Sequence, residues 1–205
     1  ILIASQFWRT DLLAEKKKKS FWTCCQGLDV AQRYVAQLLT AYEVVSINGV
    51  PATELSLRID IGGGFYYRGY VDILLRNKKT RELVVLDVKT TAFNNADDAM
   101  YQNSGQVLSY SIIVDRVIKD HAELGTGSSF TVLYFVFLVG RVGGYSEPVE
   151  IKVFQKGRLH RAVWLKQLLL QVNRIETYIR EGCFPMSGGA CYSFFRQCPF
   201  FGTCT

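Results

Sequence analysis

No run of apolar residues in this chain is long enough to span a bilayer; the longest, Phe130 to Val139, has the length of a buried strand. A helical membrane protein is thereby excluded, and no membrane partner is expected. No signal peptide, internal repeat or interdomain linker is expected from these residues. Ile1 stands where an initiating Met would, so the chain is expected to lack its natural start. Histidine is scarce: His121 and His160 are the only two, and neither lies near the front of the chain. Secretory features are missing as well, which turns the six cysteines away from a disulfide framework and toward a metal or iron–sulfur site.

What is present suits one domain. At 205 residues and 23.2 kDa the chain can bury a full core, and a hydrophobic fraction of 49% excludes disorder. A net charge of +6 and a pI of about 9.0 suit a polyanionic partner such as nucleic acid. Lys16 to Lys19 form a run that touches phosphate or is simply a solvated surface. The cysteines fall at the two ends: Cys24 and Cys25 at the front, Cys183, Cys191, Cys198 and Cys204 at the back.

Periodicity predicts a helix over 27–45, with Val30, Tyr34, Leu38 and Ala41 on one stripe. Alternation predicts a strand from Leu55 to Ile61, a turn at Gly62-Gly63-Gly64 and a returning strand from Phe65 to Leu75. Asn77 to Thr80 reads as a polar turn before a third strand, Leu83 to Lys89. Asp97 or Asp98 can cap a long helix ending near Glu123, and Gly125 to Ser129 reads as a loop. Phe130 to Val139 is apolar on both faces, as a central strand would be, with Glu147 to Phe154 antiparallel beside it. A last helix carries Leu165, Leu168, Val172, Ile175 and Ile179 on a stripe. The expected architecture is α/β with the order α-β-β-β-α-β, a mixed sheet flanked by helices, and a right-handed crossover between the third and fourth strands. Residues 1–26 read as an N-terminal segment, 27–182 as the core and 183–205 as a cysteine-rich tail of the same domain.

Polar residues inside these strands carry the chemistry. Alternation puts Asp87 and Lys89 on one face of the third strand, with Val84, Leu86 and Val88 on the other. An acid and a lysine in an apolar strand are costly to bury unless something pairs with them. A divalent cation met also by Asp72 would do so; a structural salt bridge between Asp87 and Lys89 is the plainer alternative. Gln106 and Tyr110, four apart, project from one face of the following helix, where a tyrosine is also an ordinary core residue.

Gly69-Tyr70-Val71-Asp72, Asp87-Val88-Lys89 and Gln106-Val107-Leu108-Ser109-Tyr110, in that order, resemble the G-x-x-D, (D/E)-x-K and Q-x-x-x-Y motifs of the RecB-like branch of the PD-(D/E)XK nuclease superfamily. CRISPR-associated adaptation nucleases and many phage proteins belong to that branch. The resemblance implies a restriction-endonuclease-like core from about residue 27 onward. It implies a Mg²⁺ or Mn²⁺ ion held by Asp72, Asp87 and the Val88 carbonyl, with Lys89 over the attacking water. Gln106 and Tyr110 would orient Lys89, the water or the DNA backbone. Many members carry a histidine shortly after a glycine on the first helix; here Gly27 is followed by Leu28-Asp29-Val30-Ala31-Gln32. Glu54 is the expected substitute acid, with Glu43 behind it, unless Glu54 is only an exposed strand-edge residue.

The tail segment Cys191 to Cys204, with Cys198 followed by Pro199, resembles the branch's iron–sulfur segment, in which an N-terminal cysteine completes a 4Fe–4S cluster. Cys24 or Cys25 would be that fourth ligand, and Cys183 is a further candidate. Zinc would accept the same thiolates, and unligated core cysteines are the plain alternative.

The function implied is a metal-dependent deoxyribonuclease, an exonuclease rather than an endonuclease, in recombination, repair or phage DNA processing. Its DNA would be single-stranded or have a free end, its partners recombination or replication proteins, and its compartment the cytoplasm of a bacterial or phage-infected cell. Two alternatives stand beside it. One is a nuclease-like module that binds DNA or protein without cutting; the other is a redox or zinc module centred on the tail.

Overall fold

The computed structural model describes residues 21–102, 104–121, 124, 130–184, 192–193, 196–197 and 202. Two compact units emerge, residues 1–164 and 165–205. The first is built on a sheet with order β1-β5-β6-β7-β8, and β4 pairs with β5 beside that path. Its elements are α1 (Phe21–Ala41), β1 (Tyr42–Val44), β2 (Ser46–Ile47), β3 (Val50–Pro51), β4 (Thr53–Gly62), β5 (Phe65–Asn77) and β6 (Leu83–Thr91). They continue with α2 (Asp98–Gln102), α3 (Gly105–Asp120), β7 (Phe130–Leu138), β8 (Val149–Lys156) and the start of α4 (Arg158–Glu181). The mixed α/β architecture and central mixed sheet agree with the expected class. Among the described residues no helix is long and apolar enough to cross a membrane.

β7 is covered on both faces, and its alternate residues feed two cores. Phe130, Val132, Tyr134, Val136 and Leu138 join Tyr110, Ile113, Val114 and Val117 of α3. Leu133 and Phe135 join Leu75, Val84 and Leu86 on the other face, where Ala31, Tyr34 and Leu38 of α1 pack. β6 and β7 run parallel from Val84↔Thr131 to Thr91↔Leu138, which requires a crossover, and α2 and α3 supply it. β8 pairs antiparallel with β7 from Phe130↔Lys156 to Phe137↔Val149, two residues beyond the expected Phe154 at one end.

Two helices differ from expectation. The first begins at Phe21 and ends at Ala41, not at residue 45, because Tyr42, Glu43 and Val44 pair with Asn77, Arg76 and Leu75 of β5. The Lys78 amide and side chain close its end, donating to the carbonyls of Ala41 and Leu39. The single helix expected from Asp97 or Asp98 to Glu123 is two helices. Asp97 caps the first by accepting the Ala99 N–H, and Ser104 caps the second by accepting the Gln106 N–H from an extended backbone. The loop expected at Gly125 to Ser129 lies outside the described residues.

The hairpin β4–β5 turns at the three expected glycines, with Gly62, Gly63 and Gly64 all at positive φ. Gly69 matters for close approach instead. A Cβ there would lie 2.2 Å from Ile113 Cδ1, so its hydrogen lets α3 press directly onto β5.

In the second unit, the continuing part of α4 carries exposed Leu165, Ile175 and Ile179, so the expected stripe is present but not buried. Short strands β9 (Tyr192–Ser193) and β10 (Arg196–Gln197) pair antiparallel in the tail.

Candidate active site

Asp87 lies at the centre of a polar knot. Its position on β6, between a parallel neighbour and the face of α3, buries it completely. Tyr110 donates its hydroxyl to Asp87 Oδ1 at 2.7 Å, and Gln106 donates its amide to the same oxygen at 3.2 Å. The Gln106 amide also meets the Tyr110 hydroxyl, as the four-residue spacing on α3 allows. Lys89 Nζ stands 2.8 Å from Asp87 Oδ2 and 3.1 Å from Oδ1, its side chain a third exposed at the mouth of the knot. The expected sharing of a face by Asp87 and Lys89 is therefore realised, and so is that by Gln106 and Tyr110.

Asp72 reaches the same place because the sheet opens there. The β5–β6 ladder runs from Arg76↔Leu83 to Ile73↔Leu86 and stops. One step further would set Asp72 against Asp87. Instead the Val88 amide donates to Asp72 Oδ2 at 2.9 Å, so a side chain takes the place of the next ladder bond. Val88 enters the site through this N–H, and its own side chain is 45% exposed.

The electrostatics of Asp87 are unbalanced. Burial pushes its carboxyl above the ordinary range; Lys89 and Tyr110 pull it back, and the nearby Asp72 charge adds to the rise. The net direction is upward, so the donors around it do not fully compensate the ionised form. Burial and the adjacent Asp87 also hold the Tyr110 hydroxyl firmly protonated, as a donor. Asp87 Oδ2 is buried and, among the described residues, is met by the Lys89 ammonium alone, as an ion pair with no further donor. A hard divalent cation would satisfy that oxygen and reverse the imbalance, and an all-oxygen donor set suits Mg²⁺ or Mn²⁺. The residues present fit such an ion on those grounds. Among the described residues, no group of three or more His, Cys, Asp or Glu side chains gathers into a ligand cluster.

Glu54 is bracketed by the pairs Thr53↔Ile73 and Leu55↔Val71, which places it across from Asp72. It is exposed, and its backbone is left-handed with φ 50°. Glu43 binds Arg81 at 2.9 Å and Arg76 at 3.8 Å. Cys25 is half-buried with a free thiol, and Cys183 is exposed and free. Cys24 lies on α1. Cys191, Cys198 and Cys204 lie outside the described residues, as do Lys16 to Lys19.

Tyr134 belongs to the site's surroundings, and the sequence does not flag it. It pairs with Asp87 across β6 and β7, packs between the rings of Tyr101 and Phe154, and burial pushes its phenol up to about 12. In the sequence it sits in the middle of an apolar run, and no local signal separates it from the core.

The sequence model of the PD-(D/E)XK nuclease superfamily matches residues 2–205, and the chain belongs to that superfamily. Members of that superfamily are generally nucleases that act on DNA and typically use divalent metals such as Mg²⁺. No curated protein matches it in sequence. Among solved structures it is similar to the crystal structure of SSO0001, at 14% identity and a TM-score of 0.36, over 67% of this chain and 54% of that one. The chain thus spans about half the length of that solved structure.

Proposed function

We propose that this protein is a Mg²⁺- or Mn²⁺-dependent deoxyribonuclease of the RecB-like kind, acting from free ends. The observation that carries the reading is the fully buried Asp87 carboxylate, one oxygen of which meets the Lys89 ammonium alone, with the Asp72 charge close enough to act on it. Asp72, Asp87 and the Val88 carbonyl would hold the ion. When bound, it would lower the pKa of a coordinated water and stabilise charge on the phosphate. The chain's own residues do the rest. Tyr110 and Gln106 lock the Asp87 carboxylate in one orientation, as outer hydrogen-bond partners of a ligand do. Lys89, tethered to the same carboxylate but a third exposed, offers a compact positive charge to the attacked phosphate.

The resemblance of the tail to an iron–sulfur segment supports a second, separate element: a 4Fe–4S cluster on Cys191, Cys198 and Cys204, with Cys24 or Cys25 as the fourth ligand, Cys183 as a further candidate and Zn²⁺ as the competing metal. Anaerobic purification followed by absorption near 400 nm and metal analysis tests it, and single Cys→Ser variants assign the fourth ligand. The setting proposed is recombination, repair or phage DNA processing in the cytoplasm, alongside recombination or replication proteins.

A non-cleaving DNA-binding module is the second reading. It is favoured by α1, where Asp29 is turned to solvent and paired with Arg33, so that the helix after Gly27 brings no acid to Asp87. End-labelled single- and double-stranded DNA incubated with Mg²⁺, Mn²⁺ or chelator separates the two. Metal-dependent products that vanish in Asp87→Asn support the nuclease. Retention of DNA with no products under either ion supports the module.

A further inference from the structure

The outer half of the β4–β5 hairpin carries a face that the metal chemistry does not use. Phe65, Tyr67, Gly69 and Val71 turn inward, Tyr67 edge-on to Trp164 with ring centroids 5.6 Å apart. The alternate residues Tyr66, Arg68 and Tyr70 turn outward, with Tyr66 and Tyr70 half exposed. The register sets Arg68 opposite Arg58 of β4, Tyr66 opposite Asp60 and Tyr70 opposite Ser56. Each tyrosine is paired with a guanidinium. Arg58 lies 3.5 Å from the Tyr66 ring centroid, and Arg68 lies 5.1 Å from that of Tyr70. Both contacts are at the surface, where they add little to stability.

Spacing gives this face a direction. Residues two apart on a strand are about 6.8 Å apart, so Tyr66 and Tyr70 are separated by roughly 13 Å, and Asp72 comes about 6.8 Å after Tyr70 along the chain. The row of rings and guanidinium groups therefore runs from the hairpin tip toward the opening at Asp72. Two acids besides Asp72 share the hairpin. Asp60 at the tip accepts the Gly62 N–H at 2.8 Å and so closes the turn, and Glu54 lies at the opposite end, across from Asp72.

Half-exposed aromatic rings, each with a guanidinium on one face, recognise unpaired bases and phosphates together. A duplex keeps its bases stacked inside and offers the hairpin only phosphates, to which tyrosine rings add nothing. We infer that this face is a single-strand track: single-stranded DNA lies along β4–β5, stacks bases on Tyr66 and Tyr70, and sets phosphates against Arg58 and Arg68. The strand then runs toward the Asp72 end of the hairpin, and that last step alone rests on the nuclease reading.

The test is fluorescence anisotropy in chelator, so that no cleavage is needed. Labelled single-stranded DNA, a duplex of equal length and the matching single-stranded RNA are titrated with the parent protein. The single-stranded DNA is also titrated with Tyr66→Ala/Tyr70→Ala, Tyr66→Phe/Tyr70→Phe and Arg58→Ala/Arg68→Ala variants. The alanine pair of tyrosine variants is expected to weaken single-strand binding at least about tenfold, as loss of base stacking does. The phenylalanine pair should bind within about twofold of the parent, since the ring is kept. The arginine pair should weaken binding and flatten its dependence on salt. Single-strand affinity unchanged by the alanine pair overturns the inference, and so does an equal loss on duplex. Tighter binding of the RNA overturns the choice of DNA. A protein that never cuts but shows tyrosine-dependent binding keeps this inference and rejects the nuclease; one that cuts with tyrosine-independent binding does the reverse.

Discussion

From Phe65 to Val71, β5 alternates covered and exposed residues; from Asp72 to Asn77 it is covered or half-covered throughout. The outer half belongs to a hairpin packed on one side only, by α3 at Gly69 and by Trp164 at Tyr67. The inner half is held between two cores, with Leu74 in one and Leu75 in the other. Asp72 stands at the change. One strand thus supplies an open surface of rings and guanidinium groups and, a residue past Val71, a half-buried carboxylate held by the Val88 amide. A polar group in the outer half is solvated for nothing, whereas one in the inner half has to be held by donors or a cation. That contrast separates residues that grip a ligand from residues that act on it.

The sharpest break would come at Asp87 and Lys89. Asp87→Asn is expected to bring DNA cleavage down to background, and Lys89→Ala to lower it by at least about 10²-fold, as loss of a pre-placed charge does. Stability should move the other way. Because burial raises the Asp87 carboxyl, its ionised form costs the fold at neutral pH, and an amide avoids that cost. Melting in chelator at pH 7 should therefore show Asp87→Asn no less stable than the parent. Added Mg²⁺ should raise the parent's Tm and leave the variant's unchanged. A clear drop for the variant in chelator would mean that the knot is structural.

Removing one donor should do less. Tyr110→Phe keeps the ring in the core but takes away the 2.7 Å bond to Asp87, and cleavage should slow by about 10- to 100-fold. Unaltered rates would show that Gln106 alone orients the carboxylate.

Packing under the hairpin gives a purely structural contrast. Gly69→Ala pushes a methyl into Ile113 and is expected to cost about 1–3 kcal/mol in denaturant unfolding. Ile113→Val removes the Cδ1 that it meets, so the double variant should lose less than the two single losses combined. Strict additivity would show that α3 and β5 can shift apart without it.

The smallest effect lies far from both halves of β5. Glu150 accepts ion pairs from Lys152 at 3.0 Å and from Arg141 at 2.6 Å. Burial pushes its carboxyl up, but these cations outweigh that and leave it below its ordinary 4.5. A carboxyl held low in the fold stabilises above its unfolded value and loses that contribution as pH falls through the folded one. Glu150→Gln should accordingly lower Tm slightly at pH 7 and remove part of the fall seen on acidification below about pH 4.5. Parallel melting curves at both pH values would assign the acid sensitivity elsewhere.

Much of this was readable residue by residue. Alternation in β6 put Asp87 beside Lys89, a four-residue step on α3 put Gln106 beside Tyr110, and three glycines marked the hairpin. These are local periodicities, set by the backbone whatever surrounds it. Other features were not local. The end of α1 at Ala41 depends on β5 offering Leu75 to Asn77 as partners, and helical spacing in 42–45 could not reveal that competition. The break before α3 depends on Ser104 turning its hydroxyl to the Gln106 amide, a cap that competes with an otherwise continuous helical pattern. The stripe on α4 has the right period for burial and is not buried, because periodicity says which residues share a face and not whether anything covers it.

The amino-acid order by itself determined which side chains could act together on one strand or one helix, since 2.0- and 3.6-residue periods are properties of the chain alone. Only the tertiary structure decided that the β5–β6 ladder stops at Ile73 and Leu86, and that the Val88 amide then turns to Asp72. It also decided that Asp87 is buried deeply enough for its charge to be left under-compensated. Desolvation and strand separation arise from segments distant in sequence, so no window of residues contains them.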